Sequence, residues 1–381
     1  MLLRLIKYTI LFLILCNIPS YLLAYFGSSL GSLASYASSL LLLGFFALVK
    51  EKHKPLFPFI ALGLLYFLLS SINYTEIDED NYFIKEYIRF MVVVLCGIEV
   101  AYKTSAKEVY YIVLIGAISV IINASVFPLA NANYYPTYGR YSGFYLNPNF
   151  AGSVCLIGYA LSYYMKRKWK LIGQIIFTLA GILTFSRTFI VIWLLISIFA
   201  IVNDKKNLVI PAIGAFVLLL VFTFSSKLAL NTDRFNALQS IFTEEQTKTE
   251  VINRDSRTET WSLYYDMIFD RPFLGHGFMK FQRRTNNYPG VHNSYLMVIG
   301  EAGILPFLVM LGIYGHLLVT SFSFFKSHPE YFYLTCVLVL ALMGNHGYFN
   351  NFYNVLLGMF VFVKLKELSV QRNFHFSSSQ K

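Results

Sequence analysis

Charged residues are scarce in this chain. Asp, Glu, Lys and Arg make up 13% of its 381 residues, against about 25% in soluble domains. That excludes an ordinary soluble enzyme, whose wetted surface needs twice the supply. With 56% hydrophobic residues, it also excludes a disordered chain. Cysteine is scarce too: Cys16, Cys96, Cys155 and Cys336 lie far apart inside apolar stretches. Neither a disulfide framework nor a zinc-type spacing can be built from them, and core filling is their expected role. The polar loops also lack an Asp-x-Asp or Glu-rich cluster, so no metal and no cofactor is expected.

What the chain has in abundance is apolar length. Aromatic residues reach 18% and the mean hydropathy is +0.57. Stretches long enough to cross the roughly 30 Å of a bilayer core are read at 8–26, 30–49, 56–73, 82–101, 109–128, 149–165, 170–185, 188–202, 208–224, 303–325, 331–346 and 350–365. Lipid leaves no partner for free backbone amides, so these should be helices rather than strands. The expected fold is all-α, a polytopic integral membrane protein of about twelve transmembrane helices forming one membrane domain over 1–381, with one larger loop at 225–292. Arg4 and Lys7 precede the first stretch as in a signal peptide. No small-x-small cleavage site follows, so the first helix is expected to be retained.

The formal net charge of +11 has two readings, nucleic acid or membrane topology. With both termini in the cytoplasm, the inner segments carry 18 Lys and Arg against five acids, and the outer segments 11 against 12. This is the positive-inside pattern. The basicity is read as topology, and no nucleic-acid partner is expected.

The unusual polar residues then collect on the outer side. They are the run Tyr138-Gly-Arg140 through Asn147-Pro-Asn149, the turn Phe185-Ser186-Arg187-Thr188, the long loop, and Gly344-Asn-His346-Gly. Within the loop, Ser256-Arg-Thr-Glu259 reads as a capping box. Arg257, Trp261, Tyr264, Tyr265 and Ile268 behind it share one face of a helix that Arg271-Pro272 should end. A short interfacial helix over 293–302 is expected to carry His292 at the outer lip. Lys85, Glu86, Arg89, Glu99 and Glu301 are the charges read inside spans, where ionisable groups are functional candidates. For Arg89 the alternatives are an anionic headgroup or an ion pair with Glu86 or Glu301.

Arg140, Arg187, Arg257 and the deeper Arg89 suit phosphate oxygens, which guanidinium forks bind in bidentate fashion. A lipid diphosphate fits a site at the membrane lip, since its tail lies in the bilayer. A neutral histidine there could take the proton of an attacking hydroxyl. Arginines could stabilise the leaving diphosphate without a metal.

The ordered set of Asn147-Pro-Asn149, Ser186-Arg187-Thr188, Arg257 with Trp261, Pro272-x-x-Gly275-x-Gly277, and His292-Asn293 ahead of Gly303 resembles the O-antigen ligase and polymerase superfamily over about residues 140–310. Pro306 departs from the ligase pattern, which has a small or hydroxylated residue there. The resemblance implies a metal-independent, inverting glycosyltransferase of the bacterial inner membrane, with its active site on the periplasmic face. It implies Arg187 and Arg257 as diphosphate ligands and His292 as catalytic base. Arg89, Arg140, Asn149, Trp261 and Tyr264 are added as substrate-binding candidates from their placement. Tyr138 and Tyr145 are further aromatic candidates for stacking on sugars, and Asn147 and Asn149 also suit bracing of the loop.

The expected donor is an undecaprenyl-pyrophosphate-linked oligosaccharide and the acceptor a glycan, with a chain-length regulator as a further partner. The leading reading is a polymerase of O-antigen or capsular repeat units. The alternative is a ligase acting on lipid A-core, followed by a protein O-oligosaccharyltransferase. A lipid-linked glycan flippase is the reading from another class, and the lack of an internal repeat counts against it.

Overall fold

The computed structural model describes residues 1–75, 82–126, 140–223, 257–285 and 288–378. The acidic run Glu76 to Asp80, Tyr138, Ser256 and the 225–256 part of the long loop lie outside the described residues. Among the described residues the protein is all-helical. In chain order the helices are α1 (Leu2–Leu15), α2 (Ile18–Phe26), α3 (Ser28–Leu48), α4 (Phe57–Ile72), α5 (Tyr82–Tyr102), α6 (Ala106–Ser125), α7 (Pro148–Ser162), α8 (Arg167–Leu183), α9 (Arg187–Asn203), α10 (Val209–Thr223), α11 (Arg257–Ser262), α12 (Tyr265–Asp270), α13 (Ser294–Ala302), α14 (Ile304–Ser323), α15 (Pro329–Ala341) and α16 (Tyr353–Ser378).

The described parts of the twelve apolar stretches fall mainly on helices, but among the described residues fewer have the length of a bilayer crossing. Among the described residues, α3, α6 and α14 qualify by length and apolarity, and α1 with α2 makes a fourth if the bent pair is one span. That pair bends by 64° where Asn17 adopts a left-handed backbone, φ 54°. Shorter apolar helices lie at Phe57–Ile72, Arg187–Asn203 and Pro329–Gly344. Glu301, expected inside a span, sits instead on the nine-residue α13, which at about 1.5 Å per residue is too short to cross.

The chain divides into two compact units. The first comprises 1–10, 37–105 and 264–381. In it α16 packs on α5, and α14 packs on α4, α13 and α15. Its centre is aromatic: Tyr66 stacks on Phe349 with centroids 3.6 Å apart, and Phe67 packs against Phe90 and Phe278. At the far end of α5, buried Glu99 accepts the His53 backbone N–H at 2.6 Å and meets its Nδ1 at 3.0 Å. Lys7 donates to the Lys103 carbonyl there and Lys364 to that of Tyr102. Two cations thus satisfy carbonyls that a helix C-terminus leaves open.

The second unit comprises 11–36 and 106–263. Its central helix is α7, buried continuously from Phe150 to Ser162 and packed by α6, α8 and α9. Small residues make that possible, since they let neighbouring helices approach closely. A Cβ at Gly158 would collide with Phe177. The segment leading into α7 is fixed to α6: the Ser142 and Gly143 amides donate to Asn123 Oδ1, and the Phe144 amide to Ser119 Oγ.

Candidate functional site

Each unit carries one cluster of the residues singled out by sequence. In the second unit the cluster joins the starts of two helices. Asn147 caps α7, its side chain accepting the Asn149 and Phe150 amides. Ser186 caps α9 by accepting the Phe189 amide, the usual role of Asn and Ser at helix starts. Arg140, only 6% exposed, lies between them. Its Nε donates to the Thr184 carbonyl at 2.9 Å and a terminal nitrogen to Asn149 Oδ1 at 2.9 Å. The same oxygen accepts the Ser186 hydroxyl at 3.1 Å. Arg187 follows as the first residue of α9, half-buried. Arg140 and Asn149 therefore bond to each other and to Thr184 and Ser186 at the start of α9.

Arg257 is the first residue of α11. The single aromatic helix expected behind it is two short helices, α11 and α12, and the boundary between the units falls between Leu263 and Tyr264. Trp261 is half-buried, and its indole N–H has no partner among the described residues. Tyr264 is buried in the first unit. Its hydroxyl donates to the Pro289 carbonyl, and its ring packs on Phe281 and Tyr288. Burial pushes that hydroxyl up to about 12, so it stays protonated. The pull of Tyr264 toward Pro289 is a non-local contact, and it interrupts the helix that local spacing suggested.

In the first unit the cluster centres on α13. Asn293 caps this helix, accepting the Tyr295 and Leu296 amides. His292, just before the cap, is exposed with a left-handed backbone, φ 47°. Its backbone N–H donates to His346 Nδ1 at 3.0 Å, and the two rings lie 4.5 Å apart. Ser294 ties the same turn to the 345–351 loop through the Asn345 carbonyl at 2.5 Å. Burial, with the neighbouring His292 second, lowers the His346 imidazole to about 4.

Glu301, at the other end of α13, is fully buried. Its carboxylate accepts the Tyr66 hydroxyl at 2.5 Å, the Gln282 amide at 2.9 Å and the Phe281 backbone N–H at 2.8 Å. Burial nonetheless lifts its carboxyl to about 7, against the pull of these donors. The Phe281 carbonyl in turn accepts the Val291 N–H at 2.9 Å. Glu301 thus holds the strand of chain that ends at His292. Gln282, Tyr66 and Asn350, which reaches Gln282 at 3.5 Å, were not singled out by sequence. Their only local sign was one glutamate in an apolar run.

The Pro272-x-x-Gly275-x-Gly277 segment closes the C-terminal end of α13. The His276 and Gly277 amides donate to the Gly300 and Glu301 carbonyls at 2.8 and 3.0 Å. Gly275 has φ +66°, and a Cβ there would run into the Glu301 and Ala302 backbone. His276 spends its Nε2 on the Met267 carbonyl. Arg89, the other candidate of this unit, pairs with Glu86 at 2.9 Å. Lys85 beside them is exposed. Among the described residues no three His, Cys, Asp or Glu side chains gather as a metal-ligand set.

Comparison with known families gives a match to the family described as O-Antigen ligase over residues 172–311. No curated protein and no solved structure matches the chain. The family points to a membrane glycosyltransferase of the O-antigen ligase or polymerase type. Arg187, Arg257, the proline-glycine segment and His292 all fall inside the matched stretch. The match over residues 172–311 supports a place for the chain in the O-antigen ligase and polymerase superfamily.

Proposed function

We propose that this protein is a multi-pass inner-membrane glycosyltransferase of about twelve spans that moves a glycan en bloc from undecaprenyl pyrophosphate to a glycan hydroxyl, polymerising O-antigen or capsular repeat units. The observation that carries the reading is the family match, whose 172–311 window holds Arg187, Arg257 and His292. The acceptor oxygen attacks the anomeric carbon with inversion as the bond to diphosphate breaks. The electron pair leaves with the lipid diphosphate, and the hydroxyl proton passes to His292. Arg187, at the first turn of α9, and Arg257 hold the diphosphate. Their guanidinium forks stabilise its growing charge, and for Arg187 the helix start adds to that field. The exposure of His292 suits a base that must meet an incoming hydroxyl.

Arg140 and Asn149 enter this reading as supports of the α9 start rather than as ligands, because their polar atoms meet Thr184, Ser186 and each other. Arg89 is assigned to its pair with Glu86. The positive-inside pattern favours cytoplasmic termini and a reaction on the periplasmic side.

The test is turnover in liposomes supplied with an undecaprenyl-pyrophosphate-linked repeat unit and EDTA. Longer lipid-linked glycans are expected from the wild type, and none from His292→Ala at equal protein abundance. Arg187→Lys should be severely impaired, since a point charge cannot replace a fork. Transfer only when lipid A-core is added would replace polymerase with ligase. Wild-type chain lengths from His292→Ala would remove the base assignment.

A further inference from the structure

His346, the histidine beside His292, has no role in the reaction as written. We propose that His346 is the positioning partner of His292, its Nδ1 holding the His292 backbone N–H so that the left-handed turn presents the His292 ring. The proposal rests on the assignment of His292 as the base.

Three observations converge on it. A left-handed backbone is unfavourable for any residue with a Cβ, so the φ of 47° at His292 needs something to hold it. The His346 ring is placed to do so. Its Nδ1 accepts the His292 amide at 3.0 Å. The ring is wedged against Gly290, where an added Cβ would come within 2.9 Å of Cε1. Any larger residue at 290 would push the acceptor off its donor. The flanks of the turn are fixed independently, by Val291 on the Phe281 carbonyl and by Ser294 on the Asn345 carbonyl. The His292 amide between them has His346 as its anchor.

The same geometry separates the two histidines by role. An Nδ1 that accepts an N–H carries no proton, so in the neutral ring the proton sits on Nε2. That nitrogen is then a donor with no lone pair to offer a hydroxyl proton, and further protonation would have to occur at Nδ1, which the His292 amide already occupies. The burial that disfavours protonation of His346 keeps it neutral while His292, 4.5 Å away, becomes charged. His346 is thus a fixed acceptor, and the proton has one place to go.

Asparagine tests this, because its Oδ1 can occupy the place of Nδ1 while the residue cannot act as a base. The His292 amide should exchange with deuterium slowly in the wild type, at least tenfold faster in His346→Ala, and at near wild-type rate in His346→Asn. In the liposome assay His346→Ala should lose ~10–100-fold in kcat with KM for the lipid donor little changed, the size expected of a misplaced catalytic group. His346→Asn should recover most of it, with the acidic limb of the kcat/KM profile unmoved. An Asn variant as inactive as the Ala variant, or a displaced acidic limb, would make His346 chemical rather than positional and overturn the proposal. Unchanged exchange at His292 in His346→Ala would overturn it as well. If His292→Ala keeps wild-type turnover, the base assignment fails instead. The exchange rates would still decide whether His346 holds the turn.

Discussion

Asn149→Ala separates a brace from a ligand at the start of α7. The Asn149 side-chain oxygen accepts two hydrogen bonds, from the Arg140 guanidinium at 2.9 Å and the Ser186 hydroxyl at 3.1 Å. A bond to a charged group contributes about 1.5–3 kcal/mol and a neutral one about 1 kcal/mol. Arg140 is nearly buried but keeps its bond to the Thr184 carbonyl, so its charge is not stranded. The expected loss of stability is therefore about 2–4 kcal/mol. Thermal unfolding of the detergent-solubilised protein, followed by intrinsic fluorescence, should show it as a drop of several degrees. Asn149→Asp keeps an acceptor at the same place and adds a charge facing the guanidinium, so it should melt near the wild type. Loosening the Ser186 cap should also raise the donor KM a few-fold through Arg187. The reasoning fails if Asn149→Ala melts like the wild type while donor KM rises tenfold or more, because that pattern belongs to a side chain that touches substrate.

Two further outcomes follow from the first unit. Burial holds the Glu301 carboxyl near 7, above the ordinary 4.5 of a glutamate, so the folded state binds this proton more tightly than the unfolded chain. Its contribution is full below about pH 4.5 and is lost as pH rises through about 7, with a ceiling of about 3 kcal/mol. Glu301→Gln should flatten that part of the melting-temperature profile, and an unaltered slope in the variant would assign it to other groups. Gly275→Ala sets a Cβ against the Glu301 and Ala302 backbone at a left-handed φ. It should cost about 1–3 kcal/mol and speed amide exchange at His276 and Gly277, whereas wild-type exchange would mean the loop shifts freely.

Apolar length made the helices legible, and their number of crossings much less so. The runs at 56–73 and 149–165 fall on α4 and α7, because a chain this poor in charge has few other ways to satisfy its amides. Hydropathy could not show that α7 would be buried all round in its unit. That depends on Gly152 and Gly158, which lie against Phe189 and Phe177 of other helices. Nor could it show the bend at Asn17, which is a single left-handed residue tied to the Tyr145 carbonyl at 3.4 Å. The aromatic face of 257–268 had the right helical period, yet Tyr264 left it for Pro289 and Phe281. Local spacing carries no information about such a partner.

The polar motifs were legible as an ordered set, and their positions give the physical reason. Asn147, Ser186 and Asn293 each cap the helix that follows. Residues such as these are favoured at helix starts because their short side chains satisfy free amides. A cap also fixes the direction of its neighbours, and Arg187 and His292 stand immediately beside Ser186 and Asn293. A short sequence pattern is therefore a join between a capping residue and a neighbour whose direction the cap sets, which explains why each is weak alone and informative in order. Pro306 fits the same account. It is the third residue of α14, whose cap is Gly303 with φ 82°, and in a first turn the missing N–H of proline costs no helical bond. Its presence follows from the start of a helix and does not bear on which acceptor the enzyme uses. The choice between glycan and lipid A-core then rests on the acceptor assay, not on this residue.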